Sequence, residues 1–196
     1  MDTETGTSLL SGCPDLQRHR WTVDDYHRMA EVGLLDPDAR VELIEGEIVE
    51  MAPIGDAQIA ISNRLNRLLV LAVGDRGIVS PGNPVRLNRL SEPQPDFSVL
   101  RPRTDYDTRR PHSEDVMLAV EVSDATLRTD RRVKRPLYAR AGFPEYWILD
   151  LEARQVEVHR SPTGDTYASV ERKGPGDVVT IEALPGVTIE VSRILG

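Results

Sequence analysis

Between residues 54 and 73 apolar side chains recur every three or four positions: Ile54, Ile61, Leu65, Leu68 and Ala72, widened by Leu69. This spacing predicts an amphipathic helix, closed by Gly74. Gln58 falls on the same stripe, between Ile54 and Ile61, so its amide must meet a partner in the core or face a cleft. Residues 116–122, Val-Met-Leu-Ala-Val-Glu-Val, form a nearly unbroken apolar run, as a central strand covered on both faces requires. Around these two elements the remaining punctuation is regular. Thr22 is placed to cap a helix that stops at Gly33, with Asp25 in the capping-box position. Residues 41–51 predict a hairpin around Glu45-Gly46, followed by extended pieces near 77–80 and 84–88 and a strand at 96–100 behind Pro93 and Pro95. A polar loop fills 101–115, a helix covers 130–141 up to Gly142, and a strand covers 144–150. Residues 155–192 predict hairpins broken by Ser-Pro-Thr-Gly, Gly-Pro-Gly and Leu-Pro-Gly turns. Helices on both sides of a mixed sheet give an α/β or α+β class.

Residues 1–20, rich in Thr, Ser, Gly and Asp, are expected to be a disordered tail ahead of a single domain at 21–196. The 196-residue chain is 39% hydrophobic and 29% charged, a balance that supports one buried core. No run is long enough for a membrane span and the start does not resemble a secretory leader, so a cytoplasmic protein is expected. Cys13 is the single cysteine and the four histidines are scattered, which excludes a disulfide framework and a cysteine-rich zinc module. The net charge of −8 argues against a protein that coats nucleic acid non-specifically, but not against an enzyme that touches a phosphate locally. Arginine supplies nearly all the positive charge; Lys134 and Lys173 are the only lysines.

Three residues could carry chemistry together. Asp96 opens a strand, Glu121 lies near the end of the apolar strand, and Lys134 sits on the helix that follows. A glutamate in a buried strand is costly unless paired or bound to a metal. If the two strands are neighbours, both carboxylates project from one sheet edge and form a hard-oxygen site suited to Mg²⁺ or Mn²⁺. A nearby lysine could orient a water or offset charge in a phosphoryl transition state. Each residue also has a plainer reading: Asp96 as a turn former after Pro95, Glu121 as the partner of an arginine, Lys134 as part of a solvated face. Glu42 and Glu47 on the hairpin are solvated strand residues or an added carboxylate. Tyr138, one turn after Lys134, is packing or a substrate contact. Arg128, Arg131, Arg132 and Arg135 are a solvated face or, beside a metal site, phosphate contacts, with Arg131 and Arg135 the candidates.

The surrounding strings sharpen the choice. Val-Glu-Leu-Ile-Glu-Gly-Glu-Ile-Val-Glu-Met (41–51), Pro-Gln-Pro-Asp-Phe-Ser-Val-Leu (93–100), Leu-Ala-Val-Glu-Val-Ser (118–123), Asp130…Lys134…Tyr138 and Gly-Phe-Pro-Glu-Tyr-Trp-Ile-Leu-Asp (142–150) occur in order. Together they resemble the Uma-type family of putative restriction endonucleases, within the PD-(D/E)XK nuclease superfamily, over residues 21 to 195. The resemblance implies a restriction-endonuclease-like core with an N-terminal helix and hairpin and C-terminal β-hairpins. It implies a metal-dependent phosphodiester hydrolase acting on DNA, with Asp96, Glu121 and the Val122 backbone carbonyl holding Mg²⁺ or Mn²⁺, Lys134 completing the catalytic set, and a homodimer addressing two strands. The superfamily lysine usually lies two residues after the second acid, where this chain has Ser123; a lysine on the next helix takes over in this family, and Lys134 occupies that place. The family commonly shows a histidine on the long helix where this chain has Gln58, which can hydrogen-bond but cannot act as an acid or base near neutral pH. That departure favours the alternative reading, a non-catalytic interaction or nucleic-acid-binding module that retains the fold.

Overall fold

A computed structural model describes residues 17–36 and 38–196; most of the expected tail, residues 1–16, lies outside the described residues. The chain runs α1 (Val23–Glu31), the hairpin β1 (Val41–Ile44) and β2 (Glu47–Glu50), α2 (Asp56–Val73), β3 (Ile78–Pro81), β4 (Phe97–Leu100) and β5 (Val116–Ser123). A continuous helical stretch follows: α3 (Leu127–Thr129), a π turn (Asp130–Lys134) and α4 (Arg135–Arg140). Then come β6 (Glu145–Asp150), β7 (Gln155–Thr163), β8 (Thr166–Lys173), β9 (Val178–Thr180), β10 (Thr188–Glu190) and α5 (Val191–Leu195). Strands β3-β4-β5-β6-β7-β8 make one sheet in that order. Only β5 and β6 are parallel, joined by the helical crossover, so the sheet is mixed, as the pattern predicts. Among the described residues no helix is long and apolar enough to cross a membrane.

Every residue of β5 is buried, because both faces of the sheet are covered. On one face Val120 and Val122 pack with Ile61, Leu65 and Leu69 of α2 and with Ile194 of α5. On the other, Ala119 and Ile148 pack with Tyr138 and Ala139 of α4 and with Phe143. Each fully buried leucine of α2 contributes about 1.5–3 kcal/mol by leaving water. The period of two along β5 therefore sends Glu121 to the α4 face, where Tyr138 meets it. The α1 cap is a reciprocal box between Thr22 and Asp25, as the sequence implied. In the β1–β2 turn, Glu45 and Gly46 both take positive φ, 51° and 81°, the backbone a two-residue hairpin demands. Gly46 is further constrained: a Cβ there would stand 2.6 Å from the Arg20 Cβ, so residues 17–21, most of which the sequence assigned to a tail, run against the hairpin. Trp21 N–H donates to the Gly46 carbonyl, 2.9 Å.

Three local expectations change. The stretch 84–88 is not a strand; it makes only isolated bridges, Arg86 with His112 and Asn88 with Ser91. The apolar stripe of α2 is Gln58, Ile61, Leu65, Leu69 and Val73, while Ile54 precedes the helix and is 45% exposed. The chain also ends in a short helix, α5, where the turn pattern extended strands to 192.

Candidate active site

The N-terminal end of β4 and the C-terminal end of β5 lie side by side because the two strands are antiparallel. Asp96, one residue before β4, and Glu121 are tied by their backbones. Val122 N–H donates to Asp96 Oδ2, 2.7 Å, and Asp96 N–H donates to Glu121 Oε2, 3.3 Å. In an extended strand the N–H and C=O of one residue point the same way, so the Val122 carbonyl faces the Asp96 side of β5. Above this pair, Asp130, Lys134 and Tyr138 fall on one stripe of the helical crossover. The π turn covers Asp130–Lys134, a local widening that proteins often place at functional sites.

Tyr138 O–H donates to Glu121 Oε1, 2.8 Å, and the Lys134 ammonium lies 3.6 Å from the same oxygen. Lys134 Nζ also donates to Glu42 Oε2 of β1, 2.5 Å, an oxygen that accepts the Gln94 N–H at 3.0 Å. Ser123 Oγ donates to Asp130 Oδ2, 2.7 Å. Glu42, Glu121, Asp130 and Lys134 are all buried. These contacts offset the several kcal/mol per ion that desolvation costs.

Electrostatics follow from this crowding. Burial raises the Glu121 carboxyl well above its ordinary range; Lys134 opposes the shift, and Asp96, Asp130 and Glu42 add to it. Burial likewise raises Asp96, against the pull of the Val122 N–H, and Asp130, against hydrogen bonds from Ser123 and Thr126. Burial alone would lower Lys134, but Glu121 and Glu42 outweigh it and hold the ammonium above its usual value.

These groups form the floor of a cleft of about 460 Å³. Its walls are the hairpin face (Ile44, Glu47, Val49), the segment through Met51 and Ala52, Gln58 at the start of α2, and Thr126, Thr129 and Val133 of the crossover. Of the residues anticipated from sequence, Asp96, Glu121, Lys134 and Gln58 line this one space. Ser123 and Tyr138 lie behind it as hydrogen-bond partners of its acids. Glu47 is at the outer rim, ion-paired to Arg18 and more than half exposed.

Two of the candidate phosphate contacts lie away from the cleft. Arg131 donates to Asp150 and Glu157 on the far side of the crossover, and Arg135 does not line the cleft either; it lies near His159, where its charge adds to the burial that depresses that imidazole. Successive helix residues are about 100° apart, so a stripe that aims Asp130 and Lys134 at the cleft turns Arg131 and Arg135 toward β6 and β7. The arginines that do line it are Arg20 and Arg40, which carried no sequence signal beyond being arginines. Asp130 was visible only as part of a motif string, and Glu42 only as one of two alternatives.

The donor set fits a hard divalent cation: two adjacent carboxylates, with a backbone carbonyl on the same side. Mg²⁺ characteristically takes one or two carboxylates and fills its remaining positions with water. Among the described residues no group of three or more His, Cys, Asp or Glu side chains is arranged to enclose a metal, so any such ion depends on water and substrate oxygens as well.

The Uma2 family model, described as "Putative restriction endonuclease", matches residues 23–192. Among solved structures, a "putative nuclease belonging to DUF820 from Anabaena variabilis ATCC 29413" superposes with a TM-score of 0.68 at 16% identity, covering 89% of this chain and 97% of that one. At that identity the likeness speaks to the fold. No curated protein matches the chain.

Proposed function

Since the chain belongs to the Uma2 family, we propose that it is a metal-dependent phosphodiester hydrolase acting on DNA. One observation supports this above others: Asp96, Glu121 and Lys134, from three separate elements, meet at the floor of an open cleft. In this reading Asp96, Glu121 and the Val122 carbonyl hold Mg²⁺ or Mn²⁺. The cation, when bound, polarises a phosphoryl oxygen and makes water a stronger nucleophile. Lys134 stays protonated and offsets charge developing on the phosphate rather than accepting a proton. Glu42 fixes the ammonium and Tyr138 fixes the Glu121 carboxylate, so both arrive oriented. Gln58 positions water or substrate through its amide but moves no proton. A homodimer, as enzymes cutting two strands commonly form, belongs to the same proposal and is read by sedimentation equilibrium.

Gln58 also favours the competing reading, a binding module without catalysis. Parallel preparations of wild type, Asp96→Asn and Lys134→Met, incubated with a supercoiled plasmid and a single-stranded circle, separate the two. The expected result is cleavage by wild type with Mg²⁺ or Mn²⁺, abolished by EDTA and by either substitution. Equal cleavage by wild type and Asp96→Asn, or no cleavage of either DNA by wild type, overturns the hydrolase.

A further inference from the structure

Duplex binding requires cationic side chains that track two phosphate backbones. Among the described residues, three cationic side chains line this cleft: Arg20, Arg40 and Lys134. At the rim, Arg18 is bound to Glu47 and Arg140 to Glu45, at 3.2 and 2.7 Å; Arg40 donates to the Ala52 carbonyl at 2.8 Å and keeps its charge. Carboxylates outnumber cations around the opening, and Glu45, Glu47 and Glu50 occupy the hairpin side. A duplex laid across that rim would set its phosphates against them. The reactive groups meanwhile sit at the bottom, with Glu121 and Lys134 only 6% and 4% exposed. A convex duplex does not reach such a floor, whereas about 460 Å³ falls within the roughly 300–1,000 Å³ of sites that enclose small molecules. Apolar, solvent-facing side chains stand on two of its walls: Val49, 38% exposed, beside Met51 on the hairpin side, and Val133, 39% exposed, on the crossover. Such a surface matches a base that is not paired.

We propose that the cleft admits a single unpaired nucleotide, so that the substrate is a single strand or an unpaired segment of a duplex. Its base lies against Val49, Met51 and Val133, and its phosphate descends to Asp96, Glu121 and Lys134. This rests on the nucleic-acid part of the nuclease reading and narrows it.

Fluorescence anisotropy with the wild-type protein and Ca²⁺ tests it, using a labelled single-stranded DNA, the same strand in an intact duplex, and a duplex carrying a two-nucleotide bulge. Oligonucleotide integrity is checked on a gel. The single strand and the bulged duplex are expected to bind at least tenfold more tightly than the intact duplex. The slope of log K against log salt is expected to be shallow, about −0.7 per phosphate for one or two phosphates. Val49→Glu and Val133→Glu, at exposed positions that folding tolerates, are expected to weaken single-strand binding at least tenfold. Preference for the intact duplex, no binding of any of the three, or unchanged binding by both wall variants overturns the proposal. If wild type binds single strands but cuts nothing, the hydrolase falls and this inference stands; if it binds and cuts the intact duplex best, the reverse holds.

Discussion

Replacing Lys134 by Met removes the cation that both Glu42 and Glu121 face at the cleft floor. The ammonium lies 2.5 Å from Glu42 and 3.6 Å from Glu121, and the three side chains are 5%, 7% and 8% exposed. Methionine fills similar volume, so the change is largely one of charge. Breaking a buried pair from one side costs about 3–5 kcal/mol because the remaining charge is left uncompensated. The pH dependence has a definite sign. Glu121 is already raised in the folded state by burial, and without Lys134 it rises further. A carboxyl whose folded pKa exceeds its unfolded value destabilises at high pH, and the penalty shrinks as pH falls from the folded value towards the unfolded one. The deficit is therefore expected to be about 3–5 kcal/mol at pH 8 and at least ~1 kcal/mol smaller at pH 5. Urea unfolding followed by tryptophan emission reads it, since Trp147 is fully buried. The Lys134→Met/Glu42→Gln double variant is expected to recover part of the loss, because it neutralises one of the stranded acids. A deficit below ~1 kcal/mol that is the same at both pH values refutes the reasoning, since it would mean that water screens the pair.

Other substitutions test neighbouring parts of the argument. Tyr138→Phe removes only the hydroxyl that binds Glu121, and urea unfolding at pH 7 is expected to show a loss of about 1.5–3 kcal/mol, the range for hydrogen bonds to charged groups. His159 lies in the β7 core beside Tyr146 and Tyr167; burial lowers its pKa to about 4 from 6.5. A group depressed in the folded state supplies stability above its unfolded pKa and loses it as pH falls, so His159→Phe is expected to gain roughly 2–3 kcal/mol on wild type between pH 7 and pH 4.5 in paired unfolding curves. Identical pH slopes would count against this account. Gly46→Ala forces a side chain into positive φ and against Arg20; a loss of at least ~1 kcal/mol is expected, with faster tryptic cleavage after Arg20 as the hairpin releases residues 17–21.

What the sequence disclosed about the fold depended on how local each cause was. The α1 cap, the Glu45-Gly46 turn and the burial of 116–122 each arise within a few residues, and all are found. The face of α2 is different. Ile54 is apolar and correctly spaced, yet helix formation starts at Asp56, after Pro53 and Gly55, so the stripe rotates to end on Val73. Residues 84–88 are sufficiently apolar for a strand but have no long neighbour to pair with. Strand identity belongs to the pair rather than to the segment. Likewise α5 exists because Val191, Ile194 and Leu195 find the face of α2, a contact no short window could reveal.

The site divides along the same line. Glu42 and Glu47 illustrate why. In the hairpin register Glu42 opposes Val49 and Ile44 opposes Glu47, and cross-strand partners share a face. All four therefore point into one cleft, and alternation cannot choose between the two acids. Position along the hairpin chooses. Glu47, next to the turn, reaches solvent and Arg18, whereas Glu42, farther from the turn, comes under the helical crossover and meets Lys134. Arg131 and Arg135 lie outside the cleft for the complementary reason. Arg131 and Arg135 are close to Lys134 along the chain, but on a helix proximity in sequence and proximity in space diverge within one residue. The face that Lys134 presents to the acids is the face from which its neighbours are turned away. A mixed acidic and apolar hairpin face, set opposite a helix carrying Asp130, Lys134 and Tyr138 at intervals of four, is the sequence-level feature that would have identified the cleft's walls as well as its floor.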